Sequence, residues 1–209
     1  MDGKTHFIAG GIAGIGVASY VGAELSTAIS FTLLGACIGL VPDLDVKGTL
    51  SNKISLNKNW IITLLGLLGL LIIVNSFIVY KEIDRLLGFG LGLALLILPP
   101  FFIKQKYMLL LTGAASLIIG ITQQSTWLML LGIYICVAAL LPHRSLTHSL
   151  IGLFYFSLIG YFLEKDFQTD GILLVCIVSY TSHLILDMKL FPRNRKGIKL
   201  FQPFSNIEI

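Results

Sequence analysis

Residues 142–149 read Pro-His-Arg-Ser-Leu-Thr-His-Ser and place two of the chain's four histidines, an arginine and three hydroxyls between two strongly apolar runs. Imidazoles ligate metal ions, a guanidinium clamps oxyanions, and hydroxyls cap helices. His143 and His148, five positions apart, would diverge by about 140° on one continuous helix. They converge if Pro142 ends the preceding helix and the chain turns before the next helix starts near Thr147. The other histidines extend the pattern. His6 precedes the first apolar run, and His183 lies close to the end of the last. Asp187 follows His183 by four positions, one helical turn away on the same face, which suits two ligands of a single ion. Asp43 and Asp45 flank Leu44 after the second run. In extended backbone they point apart, so one binds metal while the other orients a ligand imidazole.

Each of these groups also has a plainer structural role. His183 with Asp187 serves as a hydrogen-bonded helix cap, Pro42-Asp43-Leu44-Asp45 as a helix-ending turn, Arg144 as a topology-setting charge, and His6 as an interfacial histidine. Ser145, Thr147 and Ser149 read as caps, because no free base is left to activate them once the histidines bind metal. Against the plain reading of His183 and Asp187 stands the cost of an ionisable pair near the end of an apolar helix.

The elements that must position these groups are membrane helices. Of the 209 residues 56% are hydrophobic and 12% charged, with a mean hydropathy of +0.88, which excludes an ordinary soluble domain. Eight apolar runs are long enough to cross a bilayer or to enter one: 7–23, 25–41, 60–80, 86–103, 107–121, 126–141, 150–163 and 171–186. The expected fold is an all-α polytopic integral membrane bundle of about eight transmembrane or re-entrant helices. It forms a single domain over 1–209 with a short basic cytoplasmic C-terminal tail. Gly10 with Gly14, and Gly88 with Gly92, have the spacing that lets helices approach closely, and Pro99-Pro100 should break the fourth helix near its end. Cys37, Cys136 and Cys176 lie inside apolar runs without paired spacing and read as small core residues.

Eight spans sort the loop charges onto two faces. One face receives Lys4, Lys47, Lys53, Lys58, Lys104, Lys106, Arg144, Lys189, Arg193, Arg195, Lys196 and Lys199, and the other only Lys81, Arg85 and Lys165. Twelve against three assigns the first face, with both termini, to the cytoplasm. The net charge of +4 then reflects topology, and Lys189, Arg193, Arg195, Lys196 and Lys199 are expected to meet anionic headgroups of membrane lipids and no nucleic acid. The same sorting puts all four histidines, Asp43 and Asp187 on the cytoplasmic side. Three or four imidazoles with two or three carboxylates fit Zn²⁺ first, then Mn²⁺ or Fe²⁺, ahead of Ca²⁺ or Mg²⁺, and suffice for one or two ions. Such an ion lowers the pKa of its water to about 7, so hydrolysis needs no protein nucleophile. An aspartate outside the ligand set then serves as general base, and Arg144 stabilises the developing oxyanion.

The order of these motifs resembles the YdjM-like family of bacterial inner-membrane metal-dependent hydrolases. The likeness rests on His6, Pro42-Asp43-Leu44-Asp45, His143-Arg144-Ser145-Leu146-Thr147-His148-Ser149 and Tyr180-Thr181-Ser182-His183-Leu184-Ile185-Leu186-Asp187, and it runs through nearly the whole chain. The resemblance implies His6, Asp43, His143, His148, His183 and Asp187 as metal ligands, which leaves Asp45 and Arg144 as the catalytic pair. A more distant likeness in ligand order to zinc-dependent phospholipase C implies phosphoester hydrolysis. The expected function is therefore cleavage of an amphiphilic lipid phosphoester at the cytoplasmic membrane surface. A lipid amidase and a non-enzymatic metal transporter or sensor are the alternatives.

Overall fold

Each of the eight apolar runs folds as a helix. The computed structural model describes residues 2–44, 55, 57–142, 144–190 and 197–209, and among them there is no strand. The helices are α1 (Gly3–Tyr20), α2 (Leu25–Ile38), α3 (Lys58–Val79), α4 (Glu82–Phe102), α5 (Gln105–Thr122), α6 (Thr126–Leu140), α7 (Leu150–Phe167) and α8 (Ile172–Asp187). α4 is interrupted at Leu98 and resumes for one turn at Pro99–Phe102, since proline opens a helix readily but cannot continue one. α2 stops at Ile38, short of its apolar run, because Gly39 and Pro42 follow. Two 3₁₀ turns lie at the helix junctions that carry the polar motifs: Val41–Leu44 after α2, and Leu146–His148 before α7.

The sequence expectation for the start of α7 needs correction. Thr147 lies in the 3₁₀ turn, and α7 begins at Leu150 with Ser149 as its cap, the hydroxyl accepting from Gly152 N at 3.4 Å. Asp43 likewise sits in a 3₁₀ turn and not in extended backbone.

By length and composition α3, α4 and α5 can cross a membrane, while α2, α6 and α8 are shorter apolar helices of 14, 15 and 16 residues. The helices pack in the spatial order α5, α6, α7, α8, α1, α2, and α8 also touches α2. The α3–α4 hairpin packs chiefly on itself, and most of its apolar surface is exposed, as at Leu71 (65%) and Leu86 (71%). Such a surface suits lipid and not water. A Gln105 side chain ties its base to α5, accepting from Lys58 N at 3.2 Å and donating to Ser55 Oγ at 2.7 Å.

Small residues bring α1, α2 and α8 together. A side chain on Gly10 or Gly14 would run into the carbonyl oxygens of Gly35 and Phe31, and one on Gly39 into that of His6. Ser179 of α8 donates to Gly10 O at 3.3 Å. The backbones therefore meet, as small-residue helix faces allow. This close approach gathers the start of α1, the end of α2 and the end of α8 at one end of the bundle. Phe31, Tyr134, Phe156, Val175, Tyr180 and Leu184 fill the core beneath them, and Cys176 joins it whereas Cys37 faces outward.

The C-terminal residues 197–209 fold back onto this same end. Ile198 is fully buried and exchanges both backbone hydrogen bonds with Ile209, at 3.1 and 3.0 Å, while Leu200 O accepts from Leu150 N at 3.0 Å. This part of the tail is packed, and Lys189 pairs with Glu208 at 3.6 Å. Arg193, Arg195 and Lys196 lie outside the described residues.

Candidate metal centre

The last turn of α8 supplies the first pair of groups. His183 and Asp187 share a face, with His183 Nε2 3.8 Å from Asp187 Oδ2. His183 Nδ1 lies 2.7 Å from the carbonyl oxygen of Gly39. A carbonyl only accepts, so the ring proton is on Nδ1 and Nε2 presents a lone pair. The 3₁₀ turn before α7 brings in His148, whose Nε2 stands 3.2 Å from that of His183. Its Nδ1 is 3.1 Å from Thr147 Oγ1, a partner able to take the ring proton and free Nε2. The Tyr180 hydroxyl, itself 3.0 Å from that of Tyr134, donates to the Thr147 carbonyl and pins the turn.

The 3₁₀ turn after α2 contributes Asp43, with Oδ1 3.3 Å from His148 Nε2 and 3.8 Å from His183 Nε2. One donor atom from each of Asp43, His148, His183 and Asp187 lies within 4.8 Å of the others. From the first turns of α1, His6 stacks on His183 with ring centroids 3.8 Å apart, and its Nε2 is 3.2 Å from Asp187 Oδ1. His6 Nδ1 is buried without a hydrogen-bond partner. Asp187 thus turns one oxygen toward His6 and the other toward His148, His183 and Arg144. Arg144 Nη2 is 3.4 Å from Asp187 Oδ2, and with its side chain 23% exposed it forms the rim of the site. Its backbone is left-handed (φ 59°), a conformation that costs a non-glycine residue of order 1 kcal/mol and that clusters at functional sites.

Burial alone would push the Asp43 carboxyl upward. The neighbouring imidazoles of His148, His183 and His6 outweigh it and hold Asp43 at about 2. Asp43 is therefore ionised at neutral pH and available as a ligand. Five of the six separations among the converging atoms are 3.2 to 3.8 Å, close to the edge of a tetrahedron, about 3.3 Å for ligand distances of about 2.0 Å, and the two carboxylates lie within 4.8 Å of each other. A lone pair on His183 faces two carboxylates and a second imidazole. Four electron-pair donors aimed at one point repel one another until a cation stands between them, so these residues fit a transition-metal ion.

A family model described as YdjM inner membrane protein matches residues 1–209. The chain belongs to the YdjM inner membrane protein family. No curated protein and no solved structure matches it.

In this YdjM-family chain the structure brings His6, Asp43, His148, His183 and Asp187 together and sets Arg144 at their edge. Asp45 and His143 lie outside the described residues. Sequence reasoning assigned Thr147 to helix capping, whereas its hydroxyl faces the His148 ring. It also missed the Gly39 carbonyl. The signal for Thr147 was its place next to His148, a candidate ligand, but a backbone carbonyl carries no residue type to read.

Proposed function

We propose that this YdjM-family protein is a metal-dependent hydrolase that cleaves a lipid phosphoester at the cytoplasmic surface of the inner membrane. Zn²⁺, or Mn²⁺ or Fe²⁺ in its place, is held by Asp43, His148, His183 and Asp187, with His6 and Asp187 Oδ1 able to take a second ion. The observation that carries this reading is the lone pair of His183, fixed by Gly39 and aimed at two carboxylates and another imidazole.

A bound ion of this kind supplies a Lewis acid for a phosphoryl oxygen and a source of nucleophilic water. The protein's own groups do the rest. Gly39 and Thr147 fix the two imidazoles, Asp43 stays ionised, and Arg144 orients Asp187 while its partly exposed guanidinium receives an anionic oxygen of the substrate. Asp45 is assigned the general base. The basic loops, with both termini on the cytoplasmic side and eight passes or re-entrant segments between them, hold anionic headgroups at this end. A conduit would instead need ionisable groups through the membrane midplane, and among the described residues the cluster is confined to one end.

Elemental analysis of protein purified in mild detergent tests the reading. Wild type should carry one to two equivalents of a transition metal, lost in His148→Ala and in His183→Ala. Well-folded wild type that stays metal-free after incubation with zinc or manganese would rule the hydrolase out.

A further inference from the structure

The segment 197–209 carries a loop whose base is fixed to the protein and whose tip is apolar and uncovered. At the base, Ile198 and Ile209 exchange both backbone hydrogen bonds, and Leu200 O accepts from Leu150 N. Within the loop, Gln202 N donates to Lys199 O at 3.1 Å, while Phe204 N and Ser205 N donate to Phe201 O at 2.9 and 3.1 Å. The tip is therefore a hydrogen-bonded turn, yet its large side chains are left outside. Phe204 is 90% exposed and Ile207 67%, with Phe201 and Pro203 exposed beside them. A cluster of this kind, held in place by its own backbone, marks a contact surface.

We infer that this loop is an interfacial anchor: Phe201, Phe204 and Ile207 enter the bilayer beside α7, about 5–10 Å into the boundary of headgroups and acyl chains. Its place favours lipid over a protein partner. Leu200 bonds to the first residue of α7, and the opening turns of that helix expose Leu150, Ile151 and Phe154 (75%), a surface that suits lipid. The loop lies where that surface begins. Its composition agrees, because phenylalanine and isoleucine have no polar tip to keep in water. So does its charge. Glu208, the one acid in 199–208, is paired with Lys189 at 3.6 Å, which leaves Lys199 to meet anionic headgroups. Leu150 follows His148 by two residues, so the anchor holds the turn that carries His148 at the membrane surface. This inference does not depend on any metal chemistry.

The test uses the full-length protein in nanodiscs of phosphatidylcholine and phosphatidylglycerol, which leave both membrane faces open to solutes. The two tryptophans are removed as Trp60→Phe and Trp127→Phe, and Phe204→Trp supplies a single reporter. Its emission should be blue-shifted from that of tryptophan in water and should resist quenching by acrylamide. It should lose intensity when brominated lipids are used, more with bromine high on the acyl chain than near the terminal methyl. Ile207→Trp repeats the measurement in case the first variant folds poorly. Water-like emission that acrylamide quenches would overturn the anchor. Blue-shifted emission that brominated lipids leave unchanged would overturn it as well, and would put a second copy or another protein surface over the tip.

Discussion

At the scale of single residues the candidate centre depends on groups outside its donor set. His148 presents Nε2 to its neighbours only while Thr147 Oγ1 holds the other side of the ring, at 3.1 Å. Thr147→Val removes that contact with almost no change in shape. We expect a loss of about 10- to 100-fold in zinc affinity, measured by chelator competition, with the helical content intact and partial recovery in Thr147→Ser. The sequence showed the outer logic of the site, because four-residue spacing on a helix is enough to pair His183 with Asp187. It could not show which way Asp43 points, since a 3₁₀ turn and an extended segment place the same carboxylate on different sides. Nor could it show the Gly39 carbonyl, which becomes a histidine partner only through the contact of α2 with α8.

At the scale of elements, the nesting of α1, α2 and α8 decides whether those residues meet. Gly10 lies where a methyl group would strike the Gly35 carbonyl, whereas Gly16, further along the same helix, has nothing within 4 Å of that position. Gly10→Ala should cost about 1–3 kcal/mol and lower bound metal, because α1 carries His6. Gly16→Ala should be neutral or slightly stabilising. Thermal unfolding in detergent, read beside metal content, separates the two. Helix positions were legible in the hydropathy because the apolar runs are bounded by glycine, proline, charge or, at 122–125, the polar stretch Thr-Gln-Gln-Ser. α7 runs on to Phe167, past the apolar limit at 163, since Glu164, Lys165 and Asp166 are compatible with a helix although not with the bilayer core. Glu164 then caps the neighbouring helix, accepting from Gly171 N and Leu173 N at 3.0 and 2.9 Å.

At the scale of the molecule, the candidate centre and the folded C-terminal segment occupy one end, and the α3–α4 hairpin packs chiefly on itself with its apolar surface exposed. This arrangement yields a topological prediction. In a cysteine-free background, Lys81→Cys should react with an impermeant maleimide from outside spheroplasts, and Lys104→Cys only after permeabilisation. The reverse pattern would move the centre to the outer face and replace the cytoplasmic assignment.

The groups of the cluster are widely spaced along the chain. His6 leaves the ribosome first, Asp43 and His148 follow, and His183 and Asp187 arrive with the last helix. During biosynthesis the early helices therefore enter the membrane carrying polar side chains whose partners have not yet been made. A chain stalled before α8 holds half a constellation, with His6 and His148 unsupported. The centre is accordingly complete only once α8 has been made, because His183 and Asp187 both lie on that helix.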